Sequence, residues 1–108
     1  NKEGLNYVIK QLLEQEYNSL HIVLGVVNDK DLAEILPLFP KEATYYFCRP
    51  SIPRGLDAVD LMKVCSEYDL VGISYSSVKE AYIDAEKNVS TNDLIFIGGS
   101  TFVVAEVL

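Results

Sequence analysis

The sequence predicts an α/β domain with a mainly parallel sheet flanked by helices, and three observations carry that reading. Four short apolar runs (residues 20–27, 43–48, 69–75 and 93–98) are rich in β-branched and aromatic residues and bounded by Gly, Pro, Asn, Asp or Ser. Being nearly continuous rather than alternating, they suit strands buried on both faces. The segments between them carry helical periods, so strand and helix alternate along the chain. That alternation implies right-handed crossovers between parallel strands.

Each element has its own signal. Leu5, Val8, Ile9, Leu12 and Leu13 form one apolar stripe, with Asn1 placed to cap the helix. After the first strand, Leu32, Ile35 and Leu36 predict a short helix that stops near Pro37 or Pro40. Ala58, Leu61, Met62, Cys65 and Tyr68 mark a third helix. Val78, Ala81, Tyr82 and Ala85 mark a fourth. It is preceded by Ser77 with Glu80 three residues on, a capping box in which each side chain satisfies a free backbone N–H. Residues 100–108 carry two signals. Phe102, Val103 and Val104 favour a strand, whereas a Gly-Gly-Ser turn directly after a strand favours a helix capped by Ser100. The helix is the expectation.

Composition excludes whole classes of function. A chain of 108 residues has the usual size of one domain, and 49% hydrophobic content argues against disorder. A net charge of −7 makes nucleic acid an unsuitable partner, although a few local cations can still hold a small anion. No apolar run approaches the roughly 20 residues of a membrane span, and Asn1-Lys2-Glu3-Gly4 lacks a signal-peptide layout. Cys48 and Cys65 form no CxxC or metal-ligand cluster and read as free intracellular thiols, with no metal site.

In open parallel sheets, ligands bind beyond the carboxyl ends of the strands. Four loops are therefore expected along one edge: Asn28-Asp29-Lys30-Asp31, residues 49–54, Tyr75-Ser76-Ser77, and Gly98-Gly99-Ser100-Thr101. Lys30 reads either as a substrate-binding cation or as half of a local ion pair. Gly98-Gly99-Ser100 reads either as an anion cradle or as a tight turn. Arg54 reads either as a carboxylate or phosphate ligand or as a solvated arginine. His21 has no evident partner and reads as structural or surface, and the seven tyrosines are assigned mostly to the core. The chain lacks GxGxxG after a strand and GxxxxGK[ST], so it holds neither a dinucleotide fingerprint nor a complete nucleotide-hydrolysing site. An Asp ending the third strand would suit a phosphoacceptor, but Tyr75 stands there.

At these loops the sequence resembles a known family. Leu24-Gly25-Val26-Val27-Asn28-Asp29-Lys30-Asp31 looks like the Gly-x-x-x-Asp-Lys-Asp segment of folylpolyglutamate and dihydrofolate synthases. The stretch from Ile95 through Gly98-Gly99-Ser100 to Leu108 looks like their closing segment, and Asn1-Lys2-Glu3-Gly4 like the tail of their Asp-x-x-His-Asn motif. Arg54 falls where that family has an Arg.

The resemblance spans essentially the whole chain. It implies the Rossmann-like last domain of a Mur-type amide ligase, a cytoplasmic enzyme that joins L-glutamate to tetrahydrofolate through an acyl phosphate, with dihydropteroate as an additional acceptor left open. By the same resemblance, ATP and Mg2+ are held mainly by a nucleotide-binding domain that is absent from this chain. Residues 1–108 form the lid that faces glutamate and ATP, with folate as the other partner. Lys30 is expected to face the reacting phosphate or the glutamate carboxylate. Gly99, Ser100 and Arg54 are expected to help bind substrate, and Asn1, Asp29 and Asp31 to lie toward the nucleotide. The isolated chain should be inactive. The alternatives are a peptidoglycan-precursor ligase domain and a free-standing α/β ligand-binding module.

Overall fold

Capping and turn chemistry set the limits of each element in the computed structural model, which describes residues 2–28 and 31–108. Asn1, Asp29 and Lys30, to which a cap and site roles were assigned, lie outside the described residues. The order is α1 (Lys2–Leu13), β1 (Leu20–Gly25), α2 (Leu32–Ile35), β2 (Thr44–Phe47), α3 (Ala58–Ser66), β3 (Gly72–Ser74), α4 (Val78–Asn88), β4 (Leu94–Gly99) and α5 (Thr101–Val107). After α2 the chain tightens into a 3-10 turn at Leu36–Leu38, where Pro37 supplies no backbone N–H.

Among the described residues, three helices start on side-chain caps. Asp57 accepts the amides of Val59 and Asp60 at α3, a cap the sequence reading did not name. Ser77 accepts the Glu80 amide at α4, 3.1 Å away. Only half of the expected box forms there, because the Glu80 carboxylate takes the Ser76 hydroxyl instead of reaching back to the Ser77 amide. Ser100 accepts the Phe102 amide at 3.2 Å and opens α5, so the closing segment is a helix. A cap of this kind is worth about 1 kcal/mol.

The sheet is all parallel with strand order β3-β2-β1-β4. Alternate side chains of β1 and β2 feed two separate core layers. Ile22, Leu24, Tyr45 and Phe47 pack with Ile9, Leu36, Leu61 and Cys65 on one face. Val23, Tyr46 and Cys48 pack with Val78, Ala81, Ala85 and Val103 on the other. Each large apolar side chain fully buried here contributes about 1.5–3 kcal/mol.

Burial on both faces holds for the central β1 and fails at the edges. Every residue of β1 is buried. In and beside β3, Val71 is 71% exposed and Ile73 64%, and β4 is only partly covered. The strand itself begins later than residue 69, because Asp69 takes φ 61 to close the turn after α3. The tyrosines also depart from expectation. Only Tyr45 and Tyr46 are fully buried, while Tyr7 is 66% exposed and several others are half-buried.

Candidate functional site

All four strands run the same way, so their carboxyl ends share one edge of the sheet. The chain steps from β1 to β2 to β3 on one side, then crosses over to place β4 on the other side of β1. The connections that leave β1 and β4 take opposite faces of the sheet and open a crevice between them. An open cleft of about 700 Å³ lies there, bordered by Asp31, Gly99, Ser100 and Thr101, with Val8, Phe96 and Phe102 among its apolar walls. A second cleft of about 770 Å³ opens near Asn18, Pro40 and Thr44 at the amino edge and contains none of the expected site residues.

Backbone geometry places Ser100 in the crevice. Gly99 sits at φ +94, and a Cβ there would lie 2.2 Å from the Gly25 carbonyl oxygen of the neighbouring strand. Only glycine allows this approach. Ser100 is 7% exposed. Its oxygen accepts the Phe102 amide, which leaves the hydroxyl hydrogen to donate to an acceptor in the cleft. Gly99 and Ser100 thus lie at the carboxyl-edge cleft, and the tight-turn reading of Gly98-Gly99-Ser100 is compatible with the binding one.

Arg54 belongs to a different wall. Beyond Gly25 the chain leaves the parallel ladder, and Val27 forms an antiparallel bridge with Gly55. The Asn28 amide donates to the Arg54 carbonyl at 2.5 Å, and the Leu56 amide to the Val26 carbonyl at 2.9 Å. The loop after β2 is thus stapled to the outgoing end of β1, with the exposed Arg54 beside Asn28 and the Asp29-Lys30 segment next in sequence. Arg54 does not line the β1/β4 cleft that Ser100 and Asp31 share.

Two features escaped the sequence reading. Arg49 clamps its own loop, its Nε donating to the Gly55 carbonyl at 2.8 Å and its Nη2 to the Ile52 carbonyl at 3.3 Å. His21 has partners after all: Nδ1 lies 2.8 Å from the Tyr46 hydroxyl and Nε2 lies 3.2 Å from Asp93 Oδ2. Asn88 donates to the same tyrosine oxygen at 3.3 Å. The Ser90 amide first, with His21 and the Ser19 amide, holds the Asp93 carboxyl below the usual carboxylate range. Burial pushes the Tyr46 phenol up. His21 is 6% exposed and at the amino end of β1, so its role is structural. The cysteines are free and buried, and burial pushes the Cys65 thiol up to about 12, far from a reactive thiolate.

Among the described residues, no three His, Cys, Asp or Glu side chains gather to hold a metal, and no helix is long and apolar enough to cross a membrane.

Comparison with known proteins converges on one group. The family model described as "Mur ligase, glutamate ligase domain" matches residues 1–101. A Haloferax volcanii protein named "Probable bifunctional folylpolyglutamate synthase/dihydropteroate synthase" is 30% identical over 107 residues, covering 98% of this chain and 13% of its own length. E. coli FolC in complex with DHPP and ADP superposes with a TM-score of 0.83 at 25% identity, over 99% of this chain and 25% of that one. A bifunctional folylpolyglutamate synthase/dihydrofolate synthase with Mn, AMPPNP and L-glutamate bound gives a TM-score of 0.85 at 26% identity, over 99% and 26%. The chain thus spans about a quarter of the solved relatives and 13% of the curated one.

Proposed function

Since this chain belongs to the Mur ligase, glutamate ligase domain family, we propose that it is the closing domain of an ATP-dependent ligase that joins L-glutamate to a folate acceptor. The observation that carries this reading is the Gly99-Ser100 turn at the β1/β4 switch point, in a domain that matches the folate ligases over 99% of its length.

The chain's own residues position and stabilise; none acts as nucleophile or base. The Ser100 hydroxyl donates to the incoming glutamate, with the Gly99 backbone alongside. Lys30 supplies a point charge for the glutamate carboxylate or the transferred phosphate. Arg54 adds charge from the neighbouring wall, and Asn1, Asp29 and Asp31 lie toward the nucleotide. ATP phosphorylates the folate carboxylate, and the glutamate amine then displaces phosphate from that acyl phosphate. Closing this domain over the site excludes water that would otherwise hydrolyse the intermediate.

By this reading, Mg2+ and most of the ATP contacts belong to a nucleotide-binding domain of the same polypeptide. The reading places the parent enzyme in the cytoplasm, with Cys48 and Cys65 reduced.

The test is ATP-dependent incorporation of labelled glutamate into tetrahydrofolate by the full-length parent, run beside this chain alone. Incorporation by the parent and none by the fragment is expected. No incorporation by either, with tetrahydrofolate or dihydropteroate as acceptor, sinks the folate-ligase reading.

A further inference from the structure

Helix α5 does not simply run back along the sheet. A Cβ placed on Gly25 would lie 2.8 Å from Val103 Cγ2 and 3.2 Å from Cys48 Sγ, so Val103 sits over the carboxyl ends of β1 and β2 together. The helix therefore starts at β4, crosses β1 and arrives above the end of β2. There Glu106 Oε2 accepts the backbone amide of Ser51 at 2.7 Å. The Cys48 thiol beneath it is pushed up to about 12, by burial first and by the Glu106 carboxylate second.

Ser51 lies in a loop braced by its own hydrogen bonds. The Ile52 amide donates to the Pro50 carbonyl at 2.8 Å, and Arg49 grips the Gly55 and Ile52 carbonyls. The loop's far end carries Arg54 and binds Asn28 and Val26 of the β1 exit. Holding Ser51 thus holds the segment from which Asp29-Lys30 continues. The Ser51 amide is exposed, so water would satisfy it if the carboxylate were absent. Burial does not require the bond; its consequence is geometrical. It ties the helix opened by Ser100 to the loop that seats Asn28 and Arg54.

Resting on the ligase reading above, we propose that Glu106 is a positioning residue for the reaction. Through the Ser51 amide it fixes the Arg54 loop and the β1 exit relative to Ser100, so that cationic and hydroxyl contacts meet one glutamate at the right spacing. Small misplacements of such contacts are costly in rate.

The experiment uses the full-length parent ligase with Glu106→Ala and Glu106→Gln. Glutamine keeps an oxygen acceptor at the same reach and loses only the charge. Glu106→Ala is expected to raise KM for glutamate on the order of 10-fold. KM for ATP and the thermal midpoint should stay near wild type, and Glu106→Gln should recover most of the loss. An unchanged KM in Glu106→Ala overturns the role, as does equal impairment of both variants or a loss explained by a lowered thermal midpoint. A wild-type parent that incorporates no glutamate fails earlier and differently, removing the ligase reading and this role with it.

Discussion

At the amino edge of the sheet, His21, Tyr46, Asn88 and Asp93 bond to one another, whereas at the carboxyl edge Ser100 and Asp31 line an open cleft. Both sets are polar and both sit at strand ends. The difference is in where their hydrogen bonds go. In the first set, donors and acceptors close on the protein and tie β1, β2, α4 and the loop before β4 together. In the second, the Ser100 hydroxyl hydrogen and the Asp31 carboxylate face the cleft. Satisfied networks add stability and specify one packing, whereas unspent donors aimed into a crevice make a site. The two edges should therefore respond to mutation through different observables.

The largest effect is expected at the carboxyl edge. Lys30→Ala in the full-length ligase should lower kcat/KM by about 100-fold, the scale seen when one electrostatic contact to a reacting centre is removed. Its unfolding free energy should change by less than about 0.5 kcal/mol, as expected of a side chain spent on the ligand rather than on packing. Steady-state kinetics beside urea denaturation reads both numbers. Near-normal kinetics would remove Lys30 from the site.

The converse pattern should hold at the amino edge. Tyr46→Phe strips the hydroxyl that faces His21 Nδ1 and Asn88 Nδ2, leaving the buried imidazole short of a partner while the exposed Asn88 amide turns to water. The expected loss is about 1–3 kcal/mol of stability, with unchanged kinetics in the folded fraction. If this variant lost turnover without losing stability, the separation of the two edges would be wrong.

Ser100→Ala probes both currencies at once. Losing the cap on α5 should destabilise by about 1 kcal/mol, and losing the hydroxyl should raise KM for glutamate. Ser100→Thr keeps an oxygen and sharpens the result. Recovery of stability together with KM would assign the serine to both jobs. Recovery of stability alone would leave it a cap.

Elements written in local chemistry were legible in the sequence: the helical stripes, the Ser77 cap and the Gly99-Ser100 turn that opens α5. Strand alternation located the cleft edge. What escaped depends on contacts between distant parts of the chain. His21 meets Tyr46 across 25 residues and Asp93 across 72, and no local pattern marks either pairing. The loop of residues 49–54 carries two arginines, and no local pattern marks Arg49 as its clamp, because the fork reaches carbonyls that only the folded loop presents. Nothing local distinguishes Glu106 from a solvated carboxylate, because its Ser51 partner is brought to it only when α5 crosses toward the end of β2. Edge exposure at Val71 and Ile73 was hidden for a similar reason, since an apolar run gives no sign of which strand lies outermost.

The smallest expected effect isolates one member of the amino-edge network. Asp93 Oδ1 accepts the Ser19 amide at 3.1 Å, and Oδ2 accepts the Ser90 amide at 3.0 Å besides facing His21. These bonds favour the ionised form, so the folded carboxyl titrates below its ordinary value of 3.8. In that window the unfolded chain binds the proton more readily, and unfolding free energy rises with pH. The contribution is complete above 3.8 and is lost as pH falls through the lower folded value. Asp93→Asn cannot titrate and offers one oxygen where three donors converge. Its stability should be lower than wild type near neutrality, with the gap closing as acid protonates the wild-type carboxyl. Urea midpoints at about pH 6 and about pH 3 give the comparison, and the other carboxylates cancel because both proteins carry them. Parallel losses in the two proteins would show that Asp93 bears no pH-dependent share of what holds the amino edge together.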